Sequence, residues 1–192
     1  MHLKSLRRID TTKAILLDLK KEEAFWSNRL RLAEDKSIDL IIDMVLKEII
    51  LEVKGVPLRH AEYTQSRGDI RQSAQELLQW SSQNFVLITD EASIPKEPIH
   101  VRRLPEETSK LEEGYDFNFV DDVPTVFVRL IFDHGLELEF LESEKSIPDS
   151  LIKLERRKNW LQFTMNRSDI IAVYRALPEN TNMLLRLDNI KH

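Results

Sequence analysis

The chain has 192 residues, room for one large domain or two small ones, and is 42% hydrophobic and 32% charged with only 4 Gly, the composition of a folding globular protein. It has no cysteine, which excludes disulfides, thiolate–zinc sites and cysteine nucleophiles. The net charge of −5 does not favour a polyanion partner, but the charge is uneven: through Leu104 there are 17 Lys and Arg against 16 Asp and Glu, and from Pro105 onward 11 against 17.

The opening MHLKSLRRID lacks the apolar region of a signal peptide, and no apolar run has the length of a membrane span, so a cytoplasmic protein with no membrane partner is expected. Thr11 or Thr12 can cap a first helix containing Ile15, Leu16 and Leu19, which continues or restarts to about Ala33 with Trp26 and Leu30 on one stripe. The segment Ser37–Gly55 is rich in Ile and Val and predicts two strands, roughly Ile38–Val45 and Glu48–Lys54, joined by a tight turn and buried on both faces. Leu58–Arg67 reads as a polar connection, Asp69–Gln83 as an amphipathic helix, and Phe85–Thr89 and Ile99–Leu104 as short strands. The acidic stretch 105–122 reads as a linker. Beyond it, VFVRLIF and LELEFL flank Asp133-His134-Gly135, a hairpin signal. A helix from about Asp149, the strand WLQFTM, a Ser168-capped helix and the strand NMLLRL follow. The expected organisation is therefore a domain over 1–104, the linker, and a small α+β unit over 123–192.

The chemistry sits in the first part. Side chains alternate along a strand, so Glu52 and Lys54 share a face, as do Asp39 and Asp43 on the strand before. A carboxylate and an ammonium at the end of an aliphatic strand are costly unless paired or ligated. Two carboxylates with water supply the hard oxygen ligands that Mg²⁺ prefers. Such an ion polarises a phosphoryl oxygen and activates an attacking water, which a nearby lysine can orient.

On these residues the chain resembles the PD-(D/E)xK nuclease superfamily. Ile38-Asp39 followed by Glu52-Val53-Lys54-Gly55 is similar to its acidic strand and D/E-x-K strand, and the helix bearing Gln72, Gln75, Glu76 and Trp80 is similar to that of the RecB-nuclease-like branch. The resemblance implies a restriction-endonuclease-like mixed sheet flanked by helices over about residues 1–104, with the small α+β lobe appended. It implies a catalytic set of Asp39, Glu52 and Lys54, with Asp43 as the alternative to Asp39, and Glu22, Glu23, Gln75 and Glu76 as accessory residues. Asp39 and Glu52 would hold Mg²⁺ or Mn²⁺, and the substrate would be a nucleic acid, DNA before RNA. The alternative is a catalytically silent module that binds nucleic acid or a protein partner, including a homodimer through the C-terminal lobe. Arg59, His60, Arg67 and Arg71 are either phosphate contacts or surface charge, His134 is a turn residue, and Trp26, Trp80 and Trp160 are expected in the core.

Overall fold

In a computed structural model of the chain, which describes residues 2–70, 74–96, 125–142 and 159–187, the Ile- and Val-rich segment forms the two expected strands, β1 (Ile38–Asp43) and β2 (Glu48–Val53). They pair antiparallel, with Asp39 opposite Glu52 and Asp43 opposite Glu48. The turn between them is held by Asp43, whose Oδ1 accepts hydrogen bonds from the Val45 and Leu46 amides at 3.0 and 2.9 Å, and closes at Lys47 with φ 60°.

The next turn accounts for the motif that suggested catalysis. Lys54 and Gly55 have φ 54° and 72°, the two successive left-handed positions of a two-residue type I′ hairpin turn. Their chain goes straight into β3 (Val56–Asp69) rather than into a connection and helix. The sequence of β3 looks polar because residues 62 and 64–67 are exposed, while Ala61 and Tyr63 point to the core. Its first half pairs with β2 and its second half with β7 (Trp160–Met165), with a register shift at Tyr63/Gln65 between the two. Pro57 is tolerated in β3 because it lies beside a second register shift, at Leu51/Glu52.

The strand β4 (Phe85–Ala92) turns a corner in the same way. Phe85 and Val86 pair with β8 (Asn182–Arg186), and Leu87–Ala92 pair with β5 (Phe127–Phe132) across a shift at Leu87/Thr89. Strands that change sheet at such irregularities close two sheets into one body. The result is a closed barrel in the order β1-β2-β3-β7-β6-β5-β4-β8, with β6 spanning Glu137–Glu142. The pairs β1–β8 and β6–β7 are parallel and the rest antiparallel. The hairpin at Asp133–Gly135 joins β5 to β6 as expected, with His134 in its turn at φ 56°.

This overturns the expected restriction-endonuclease-like sheet with an appended α+β lobe. The strands β5 to β8 belong to the same barrel as β1 and β2: β8 lies between β1 and β4, and β4 returns beside β8 rather than beside the strand of Glu52. The physical reason lies in burial. Runs of Ile and Leu signal strands covered on both faces, which an open sheet between helices provides, but so does one wall of a barrel with a helix outside it.

That helix is α1 (His2–Leu32), one continuous element rather than two. Alternate residues of the strands fill the barrel with side chains, among them Leu40, Ile42, Leu51, Phe140 and Phe163. The outward Ile41, Ile50 and Leu184 form a second small core with Phe25 and Leu32 of α1. Burying each such side chain stabilises by about 1.5–3 kcal/mol. Helix α1 also packs on α2 (Ala74–Ser81), and Trp80 of α2 is buried against Phe85 as expected of a core tryptophan. Among the described residues a third helix, α3 (Arg167–Ala176), starts after Asn166 rather than at a Ser168 cap, and Tyr174 ties it to β4 by donating its hydroxyl to Asp90 at 2.6 Å. The expected linker 105–122, the strand Ile99–Leu104 and the helix from Asp149 lie outside the described residues. Among the described residues no helix is long and apolar enough to cross a membrane.

Candidate functional site

Four of the residues singled out by sequence, Glu22, Asp39, Asp43 and Glu52, meet at the seam between α1 and the wall formed by β2, β1 and β8. The chain turns back after α1 through Asp35 and Ser37, so the helix runs antiparallel to β1, with Arg29 near Glu52 and Glu22 near Asp43. Residues 22, 25, 29 and 32 of α1 form the stripe that faces the barrel, alternating charged and apolar side chains.

At one end, Asp39 and Glu52 stand directly across from each other, both fully buried. Like charges in that position repel, and the seam resolves the conflict in two ways. Arg29 clamps Glu52 with three hydrogen bonds, Nε to Oε1 at 3.2 Å, Nε to Oε2 at 3.0 Å and Nη2 to Oε2 at 2.7 Å. Among the described residues Asp39 has no such cation. Its Oδ1 accepts from Ser37 Oγ and Asn182 Nδ2, each at 3.2 Å, and its Oδ2 is buried with no hydrogen-bond partner. Burial, with a contribution from the neighbouring Glu52, pushes the Asp39 carboxyl above its usual range despite the two hydrogen bonds.

At the other end, the Arg186 guanidinium joins four partners, two acidic and two aromatic. It donates from Nη1 to Asp43 Oδ2 at 2.9 Å and from Nε and Nη2 to the two oxygens of Glu22 at 3.0 and 2.7 Å. It also stacks over the Phe25 and Trp26 rings at 5.7 Å. Asp43, the alternative ligand, is thus fully engaged in the turn and in this pair.

Of the expected catalytic set, the structure brings Asp39 and Glu52 together and leaves Lys54 out. Lys54 is exposed in the type I′ turn, so strand alternation no longer applies to it. Glu22 meets Arg186 rather than Asp39, and Glu23 is exposed on the outside of α1. Gln75 and Glu76 lie on α2 with side chains outside the description, and Gln72 and Arg71 lie outside the described residues. Arg59 holds α3 through Asp169 at 2.6 Å, and His60 lies 3.5 Å from Glu48. Among the described residues no three His, Cys, Asp or Glu side chains gather as a metal site would require. For Glu52 to bind an ion it would have to exchange Arg29 for it, and both carboxyls are closed to solvent. The seam as folded is a polar clamp that fixes helix to barrel.

Sequence reasoning missed Arg29, Asn182 and Arg186. The signal for Arg29 was its place: a barrel-facing stripe through Phe25 and Leu32 passes through residues 22 and 29 as well, and a charged pair on an apolar stripe implies buried partners of opposite sign.

The raised Asp39 carboxyl makes a pH prediction. As pH rises above the usual carboxylate range, the unfolded chain loses this proton first and the folded chain keeps it longer, so stability falls across that window. Asp39→Asn retains the Oδ1 acceptor and removes the charge. It is expected to raise the melting temperature at neutral pH by about 2–4 °C, what about 1 kcal/mol does in a chain of this size, with the gain vanishing in acid where Asp39 is already protonated. A gain that does not change with pH would show that the carboxylate is not destabilising.

No family model, no curated protein and no solved structure matches the chain.

Proposed function

We propose that this chain is an assembly module that binds a helical partner along the outer face of α1. One observation carries the reading: Ile15, Leu16, Leu19, Trp26 and Leu30 are between 45% and 72% exposed on that face. The sequence marked Trp26 and Leu30 as a stripe and placed Trp26 in the core, but the barrel takes Phe25 and Leu32 instead. Helix α1 is therefore apolar on two sides, and only one is covered by the barrel. Leu16, Leu19, Trp26 and Leu30 follow the 3.5-residue spacing of a coiled-coil seam, with Glu23 at the one intervening position. Exposed apolar side chains grouped on one helix face mark an interaction surface, whereas singly scattered ones do not. The clamps at Arg29 and Arg186 support this reading, because they fix the helix to the barrel while Ile15, Leu16, Leu19 and Leu30 remain more than half exposed.

The nuclease reading retains the Asp39–Glu52 pair as its support. It requires the Arg29 clamp to open and another cation to replace Lys54, and for that reason the assembly reading is preferred. Clean protein that cleaves single- or double-stranded DNA or RNA with Mg²⁺ or Mn²⁺, and stops with EDTA, would replace it.

The assembly reading is tested by Leu19→Lys/Leu30→Lys. If the seam is an interface, the isolated variant should melt within about 2 °C of the dilute wild type, since surface changes away from packing cost little. A loss of about 8 °C or more would mean that the chain itself covers these residues, and the reading would fall.

A further inference from the structure

Resting on that reading, we infer that the helix received by the α1 seam is α1 of a second copy of this chain, running antiparallel. Two features of α1 choose this occupant and orientation.

The first is charge. Residues 2–21 contain six Lys and Arg against two Asp and Glu, whereas residues 22–35 contain two against four. Laid parallel, two copies put basic half against basic half. Laid antiparallel with Leu19 opposite Leu30, the exposed Lys13 of each copy falls within a turn of the exposed Glu34 and Asp35 of the other.

The second is the seam itself. Glu23 interrupts the apolar row. In a parallel, in-register pair Glu23 faces its own copy across the seam, a like-charge contact without compensation. In the antiparallel register that packs Leu19 against Leu30 of the other copy, Glu23 falls beside Trp26 instead, and Leu16 beside Ala33. Every remaining layer is apolar. The pairing is isologous, so both copies use the same face and the assembly closes at two. In this register the two helices overlap over residues 17–32, about 24 Å, against about 20 Å for a six-residue strand of the barrel wall.

The test uses the full chain and its lack of cysteine. Sedimentation from about 1 to 100 µM should show a monomer–dimer equilibrium that Leu19→Lys/Leu30→Lys abolishes. Single-cysteine variants Glu23→Cys and Lys13→Cys then read the orientation with a short bis-maleimide. In the antiparallel register the two positions 23 are offset by about 5 Å along the helix axis and the two positions 13 by about 35 Å. Glu23→Cys should crosslink and Lys13→Cys should not. Crosslinking of both at similar rates means parallel helices and overturns the antiparallel arrangement. A wild type that stays monomeric over the whole range overturns the second copy as partner. In that case a Leu19→Lys/Leu30→Lys variant with unchanged melting leaves the docking surface standing for another helix, whereas an unstable variant removes both.

Discussion

Arg29→Ala is expected to destabilise the protein by about 3–5 kcal/mol, because it leaves the Glu52 carboxylate buried without its cation. Glu52 is fully buried and Arg29 only 18% exposed, so water cannot replace the lost partner without opening the helix–barrel seam. In a chain of this size the melting temperature should fall by about 10 °C. The double replacement Arg29→Leu/Glu52→Leu should return to within about 1 kcal/mol of wild type, since an apolar pair of similar volume removes the desolvation cost along with the attraction. Urea denaturation of wild type, Arg29→Leu, Glu52→Leu and the double variant measures the coupling directly. A cost below about 1 kcal/mol for Arg29→Ala would mean that the clamp behaves as a surface ion pair. The same cycle bears on the nuclease reading: a Glu52 whose main partner is Arg29 should be more tolerant of joint replacement than of single replacement, which a metal ligand would not be.

Gly68→Ala is expected to be similarly damaging for a different reason. Gly68 lies in β3 where it runs against β7, and a methyl group there would press on the Trp160 carbonyl oxygen and stand 2.7 Å from Leu161 Cδ2. The first obstacle is backbone, which cannot rotate away. We expect a loss of about 3 kcal/mol, at the upper end of overpacking costs, with the pairing of Gly68 to Leu161 disturbed. Amide exchange should then rise in β7 before it rises in β1 and β2. Exchange that is uniform, or a melting temperature unchanged by the substitution, would contradict the close approach.

Much of the local structure was legible in the sequence. The strands of β1 and β2, the Asp133–Gly135 hairpin, β7, α3 and β8 all follow from apolar periodicity and turn residues. That one of Asp39 and Asp43 would lie beside Glu52 followed from strand alternation and a tight turn, and the preference for Asp39 came from the resemblance. What misled was the meaning of Lys54-Gly55. A lysine two residues after a glutamate on a strand shares its face only while the strand continues, and here the glycine takes the chain through a left-handed turn. The global fold was illegible because no local pattern distinguishes a wall of a barrel from the centre of an open sheet when both faces are covered. Strand β3 was missed because each of its halves has a neighbour on one side only and shows water most of its outer face, so its sequence reads as a loop. In α1 the error was one of phase: two apolar stripes compete, and only the barrel decides which one is buried.

The order of strands has a consequence for biogenesis. Strand β1 finds its parallel neighbour in β8, about 140 residues later, and β8 is the last of the eight strands in chain order. At ordinary rates of synthesis a nascent chain therefore carries β1 with one unpaired edge for about ten seconds or more. The outer apolar residues of β1 and β2 do not wait in the same way, because α1 precedes them and can cover Ile41 and Ile50 at once. The helix that clamps the finished protein thus acts first as an internal guard, shielding the apolar face of a hairpin whose open edge would otherwise recruit a strand from a neighbouring chain.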